Sequence, residues 1–226
     1  MRIIALICLI SFSVHSVQAE KPSFKKWKAP LALGIASGLT YNPFAKQIQT
    51  NIVAPGQVTP LDGYIQYGPA ALYVGMNIAT FKSTEVAFDQ AGVFLIGTGI
   101  YAATTYGLKA AIIEARPDGT EKTFSSGHTA TAFFGATVLA HEYSDSHPEL
   151  VIAGYTLAAA TGALRIANNK HWVTDVLMGS AIGIASAELA YLIYPKVRHQ
   201  WQKLNYFTMT PQITPNYYGA SMTVGF

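Results

Sequence analysis

Charge is scarce in this chain: Asp, Glu, Lys and Arg together make up 12% of its 226 residues, about half the share of an ordinary soluble domain. Hydrophobic residues supply 50%, so the composition falls between that of a soluble protein and that of a membrane protein. A one-signed surface is also lacking, since 15 basic residues face 12 acidic ones for a net charge of +3. Nucleic acid needs a basic footprint, and that class of partner is excluded. Cysteine is nearly absent: the single Cys8 sits in an N-terminal apolar run, so the chain beyond it has no thiol, disulfide or Cys-ligated metal. Internal repeats and low-complexity tracts are missing too, which leaves one domain around one core.

What is present begins with MRIIALICLISFSVHSVQA, residues 1–19. One Arg, an apolar run from Ile3 to Val14, and the small residues Val17 and Ala19 have the order of a secretory signal cut before Glu20. The expected division is a signal at 1–19, a helical domain over 20–200 and a tail over 201–226.

Between polar or Gly/Pro breaks, apolar segments recur at about 30–41, 63–81, 86–113, 128–142, 149–166 and 172–194. They are too long for strands and rich in Ala and Leu, so the expectation is an all-α fold of six antiparallel helices. Asn42-Pro43, Arg116-Pro117-Asp118-Gly119, Ser146-His147-Pro148, Asn168-Asn169 and Pro195 serve as stops. In the tail, Phe207, Met209, Met222, Val224 and Phe226 alternate with polar residues around Pro211 to Gly219, which predicts a short β-hairpin.

Chemically capable residues cluster at helix ends. Lys109 closes the third predicted helix with Arg116 just beyond it, Ser126, Gly127 and His128 open the fourth, Arg165 closes the fifth, and His171 and Asp175 open the sixth. In an antiparallel bundle these four ends face the same way. Three cations and a helix N-terminus on one rim form an anion site, and arginine adds planar, bidentate recognition of phosphate oxygens. His171 and Asp175, four apart on a helix, share a face. Asp175 can then hold one ring proton and leave the other nitrogen as a nucleophile. His128, with an ordinary pKa near 6.5, suits an acid that protonates a leaving alkoxide. Singly, each has a plainer reading: Asp175 as a helix charge, Ser126 as an N-cap, Lys109 as a snorkelling side chain. Their joint placement favours the chemical one. His141, His147 and His199 fall at the other helix ends or in the tail and take no role.

These residues resemble the phosphatidic acid phosphatase type 2 (PAP2) superfamily, which also holds bacterial non-specific acid phosphatases and vanadium haloperoxidases. The family pattern is Lys-x6-Arg-Pro, Pro-Ser-Gly-His and Ser-Arg-x5-His-x3-Asp. Here it reads KAAIIEARP from Lys109 to Pro117, SSGH ending at His128, and LRIANNKHWVTD carrying Arg165, His171 and Asp175. Ser125 replaces the family Pro and Leu164 the family Ser. The resemblance implies that Lys109, Arg116, Ser126, Gly127 and Arg165 hold phosphate oxygens, that His171 attacks phosphorus with Asp175 orienting it, and that His128 protonates the leaving group. It implies a phosphohistidine intermediate and neither metal nor other cofactor. The expected function is an exported phosphomonoesterase acting on a lipid-linked phosphate: phosphatidate, phosphatidylglycerol phosphate, undecaprenyl pyrophosphate or a lipid A phosphate. A soluble periplasmic acid phosphatase and a non-catalytic lipid-phosphate-binding envelope protein are the alternatives.

Gly63 to Phe81 and Ala91 to Leu108 carry no charge, at the lower margin of length for a bilayer span. The expectation is membrane association with a periplasm-facing site, although the Lys and Arg near the predicted outer side run against the positive-inside rule.

Overall fold

A computed structural model of the chain describes residues 23–54, 59–80, 84–121, 124–204, 206–214 and 217–225; the predicted signal segment lies outside them. Among the described residues there are eight helices, two more than the apolar segments suggested. They are α1 (Phe24–Thr40), α2 (Pro43–Ile52), α3 (Asp62–Ile65), α4 (Gly68–Ala79), α5 (Thr84–Ala111), α6 (Gly127–Tyr143), α7 (Pro148–Ala167) and α8 (Val173–Leu204). Two strands follow, β1 (Tyr206–Thr214) and β2 (Tyr217–Gly225), antiparallel with Tyr206 opposite Gly225.

The two extra helices have local causes. Asn42-Pro43, read as a stop, is also a start: the Asn42 side chain accepts from the Ala45 amide at 2.9 Å and Pro43 takes the first helical position, where its missing N–H costs nothing. The stretch 63–81 breaks into α3 and α4 because Pro69 has no N–H for the Ile65 carbonyl, and at the junction the Gln66 side-chain Nε2 donates back to the Gly63 carbonyl at 2.8 Å. Pro195 does not end the last helix, which continues through it to Leu204. Tertiary anchoring outweighs the lost bond: beyond the break Arg198 pairs with Asp89, and before it the Tyr194 hydroxyl donates to the same carboxylate at 2.7 Å.

Helix α6 is the axis of the molecule, packed by α8, α7, α4 and α5. Phe134, Val138, Leu139 and Tyr143 of α6 meet Val93, Tyr73, Ala187, Ala190 and Tyr191 in one buried cluster. The α6–α8 contact is close enough to need glycine: a Cβ on Gly179 would lie 2.5 Å from the Ser126 carbonyl oxygen, and one on Gly183 2.4 Å from that of Ala130. Glycines four apart on one helix face let two backbones touch.

Among the described residues, three helical segments are long and apolar enough to cross a membrane: Val86–Ala111, Pro148–Ala167 and Val173–Trp201. The first two are only 22% buried over their most apolar windows, and they expose large apolar side chains such as Leu95 (74%) and Ile152 (69%). Contiguous apolar surface of this kind marks a membrane or partner contact, and together with the length of the spans it makes the chain a membrane-associated protein.

Candidate active site

Every cluster singled out at a helix end sits at one end of the bundle, around a cavity of about 440 Å³. Lys109, Arg116, Gly127, His128, Arg165 and His171 line one part of its wall, and Gln66, Tyr67, Tyr101, Thr105, Tyr106 and Thr131 much of the rest. A larger cavity of about 510 Å³ lies between α4 and α5, but its lining, including Val74, Ala87, Phe94 and Leu95, is mostly apolar and holds none of these residues. Chemistry, not volume, marks the site.

Each side chain is placed by a local device. Arg116 stands at the head of a tight turn in which the Gly119 amide donates to its carbonyl (3.0 Å) and its own amide donates to the Thr120 carbonyl (2.7 Å). Gly119 adopts φ +83°, a left-handed conformation that glycine takes without strain. Asp118 closes that turn on the Thr120 amide and hydroxyl and pairs with Lys170 at 3.0 Å. Burial works to raise its pKa, but the Thr120 hydrogen bonds and the Lys170 ammonium win and hold the carboxyl down to about 2.

Arg165 and His171 are brought together by the end of α7. Asn169 takes φ 55°, a turn that Asn tolerates past a helix C-terminus, and the amides of Lys170 and His171 fold back onto the Arg165 carbonyl at 3.0 and 3.2 Å. His171 is 2% exposed and Asp175 0%. The His171 Nδ1 lies 3.2 Å from Asp175 Oδ2, which also accepts the Trp172 amide at 2.8 Å. A carboxylate only accepts, so Nδ1 carries the proton and the lone pair is on Nε2. Burial pushes the imidazole down to about 4, with Arg165 and Lys109 adding to the effect and Asp175 opposing it.

Ser126 is fully buried and its hydroxyl bonds Thr129, at 2.8 Å to Oγ1 and 3.4 Å to the amide. It caps α6 and is not among the cavity-lining residues, unlike Gly127 and His128 in the first turn. The Ser126 amide donates to the Asp175 carbonyl at 3.0 Å, which joins the start of α6 to the start of α8. Ser125, standing where the family pattern has Pro, has a buried hydroxyl with no hydrogen-bond partner among the described residues. His128 departs from the sequence reading. Its imidazole is pushed down to about 4 by burial and then by Arg165, Arg116 and Lys109, against the opposing pull of Asp62. At about 4 it is neutral at pH 7, and an anion among those cations would offset their repulsion and raise its proton affinity.

Two buried guanidinium nitrogens, Nε of Arg116 and Nε of Arg165, have no acceptor among the described residues. Orphaned buried donors are costly, and on arginines lining one cavity they fit an anion with several acceptor oxygens. Among the described residues no group of three or more His, Cys, Asp or Glu side chains is arranged to hold a metal ion.

The sequence reading missed several supports. Asp62 of α3 accepts from Arg165 Nη1 at 2.6 Å and from Asn168 Nδ2 at 2.9 Å. Asn168 in turn exchanges two hydrogen bonds with the Thr59 backbone, at 3.1 and 2.7 Å. Gln49 of α2 donates to the His171 carbonyl at 3.0 Å and accepts from the Val173 amide at 2.9 Å. Trp172 Nε1 donates to the Ala115 carbonyl beside Arg116 at 2.8 Å. None belongs to a local pattern; Asp62 reads as a turn residue before Gly63.

Fold and cavity define a helical-bundle membrane protein with a cationic, histidine-bearing pocket at the ends of its helices. The family model of the PAP2 superfamily matches residues 93–199, the stretch that carries all three of the motif elements. A Porphyromonas gingivalis protein named lipid A 1-phosphatase is 36% identical over 181 residues, which make up 76% of this chain. The chain spans 40% of the length of that relative. Among solved structures, it is similar to the crystal structure of Aquifex aeolicus LpxE (TM-score 0.46, 20% identity, 71% of this chain and 93% of that one). It is also similar to that of a transmembrane PAP2-type phosphatidylglycerolphosphate phosphatase from Bacillus subtilis (TM-score 0.43, 20% identity, 79% and 88%).

Proposed function

We propose that this chain is a membrane phosphatase that removes a phosphate from a lipid, with its cavity on the periplasmic side. The observation that carries the reading is the buried His171–Asp175 pair on a cavity where two arginines hold unspent donors. Lys109, Arg116, Arg165 and the first turn of α6 bind the phosphate oxygens and stabilise the charge that develops on them. The Nε2 lone pair of His171 attacks phosphorus in line. The N–P bond forms as the bond to the ester oxygen breaks, and Asp175 stabilises the positive imidazole. His128, protonated once the anion is bound, gives its proton to the leaving oxygen. It then takes one from the water that cleaves the phosphohistidine and releases inorganic phosphate.

The lipid class rests on the position of the cavity at the end of three apolar spans and on the name of the 36% identical relative, a lipid A 1-phosphatase. The test is phosphate release by the purified full chain in detergent–lipid micelles. The panel holds lipid A, phosphatidate, phosphatidylglycerol phosphate, undecaprenyl pyrophosphate and p-nitrophenyl phosphate, with His171→Ala beside the wild type. Release from one or more lipids, abolished in the variant, is expected. Release from p-nitrophenyl phosphate alone would overturn the lipid substrate, and tight phosphate binding without turnover would overturn the enzyme.

A further inference from the structure

Helix α2 carries three different faces. At about 100° per residue, Asn42, Ala45, Lys46, Gln49 and Val53 fall on one side, and these are the residues of the segment that are not exposed. Phe44, Ile48 and Ile52 form a second stripe, 72%, 43% and 77% exposed. Pro43, Gln47, Thr50 and Asn51 form a third, also exposed. The three faces are roughly 120° apart.

The inner face ties α2 to the ends of all three apolar spans. Lys46 pairs with Glu114, three residues beyond Ala111. Gln49 accepts from the amide of Val173, the first residue of the third span. The Ala54 carbonyl, just past α2, accepts from Asn169 Nδ2 at 2.7 Å, two residues beyond Ala167. A segment fastened to three span ends lies across them, at the height where those helices leave the hydrocarbon. A helix there meets protein on one side, lipid on the second and water on the third, which is the order of its faces. Helix α1 also exposes an apolar stripe, Leu31, Ile35 and Leu39, 49%, 64% and 75% exposed and spaced by four.

We propose that α2 lies in the membrane interface, with Phe44, Ile48 and Ile52 seated among the lipid headgroups and upper acyl chains, and that Gln49 on its inner face is a positioning residue for His171. Gln49 is 6% exposed and bonds the backbone on both sides of Trp172, so the nucleophile's loop is held at the height of the lipid surface. The positioning role rests on the proposed phosphatase reading; the placement of α2 does not.

The test uses the full chain in phosphatidylcholine–phosphatidylglycerol vesicles, with Cys8→Ser as background. Nitroxides are attached at Phe44→Cys, Ile48→Cys and Ile52→Cys, and at Gln47→Cys and Asn51→Cys. Oxygen-favoured relaxation at the first three and nickel-complex-favoured relaxation at the last two is expected. Nickel-favoured relaxation at all five would overturn the placement. For Gln49→Ala, the Val173 amide should exchange at least tenfold faster. Turnover of p-nitrophenyl phosphate should fall by roughly ten- to a hundredfold in kcat, with KM nearly unchanged. Gln49→Glu, which still accepts from Val173, should restore the slow exchange. Unchanged exchange and kcat in Gln49→Ala would overturn the positioning role. A wild type that releases no phosphate would refute the phosphatase reading alone, since the relaxation pattern and the Val173 exchange are read without turnover.

Discussion

Asp62 Oδ2 accepts from Arg165 Nη1 at 2.6 Å, although the two residues lie 103 positions apart and both side chains are nearly sealed from solvent. The carboxylate fixes one arm of the guanidinium fork, and the buried Nε remains for the cavity's ligand.

Asp62→Ala leaves a buried guanidinium without its counter-charge, a change that costs about 3–5 kcal/mol where a buried pair is broken. Lower thermal stability in detergent and a kcat/KM reduced by about a hundredfold are expected. Arg165→Ala should cost a similar amount, and the double variant little more than either single one. Additive losses in a double-mutant cycle would show that Asp62 does not act through Arg165.

With His128 held down to about 4 by burial and three cations, the free enzyme contains little of the protonated acid at neutral pH. For a substrate already dianionic, log kcat/KM should fall with a slope near −1 between pH 7 and about 8, where each unit removes nine-tenths of the protonated form. His128→Asn should have lower activity and a flat profile over that range. A flat wild-type profile would remove His128 as the proton donor.

Stability should also respond to acid. His171 titrates at about 4 in the folded chain and near 6.5 when unfolded, so the unfolded state binds the proton first. Its contribution is present above about pH 6.5 and is lost as the pH falls towards 4. Melting temperatures in detergent at pH 7.5, 5.5 and 4.5 should decline, and less steeply in His171→Asn. His128 shares the direction of shift, so the double variant should flatten the trend further.

Gly179→Ala places a Cβ 2.5 Å from the Ser126 carbonyl oxygen and 3.2 Å from Thr129 Cβ. The start of α6 must move off α8, which disturbs the Ser126–Asp175 backbone bond between the two halves of the site. Activity is expected to drop at least tenfold, because displacements of about 1 Å carry penalties of up to a hundredfold. Gly99→Ala, with nothing within 4 Å of the new Cβ, should retain full activity. Equal activity in the two variants would mean that this contact does not hold the site.

The helix ends that carry Lys109, Arg116, Gly127, His128, Arg165, His171 and Asp175 were legible in the sequence because the governing rules are local. Four-residue spacing puts His171 and Asp175 on one face, and apolar segments with stop signals set which ends share a rim. Local rules also misled at Asn42-Pro43, which begins α2 as well as ending α1, and at Pro195, which α8 passes through because Asp89 anchors both sides of it. What only the tertiary structure decided is the setting of those residues. Asp62 behind Arg165 and Gln49 behind His171 act across more than 100 positions, and the lowered proton affinity of both site histidines comes from burial among cations. Sequence spacing specifies which groups share a helix face. Which charges are desolvated, and which distant side chain meets them, depends on how the helices pack.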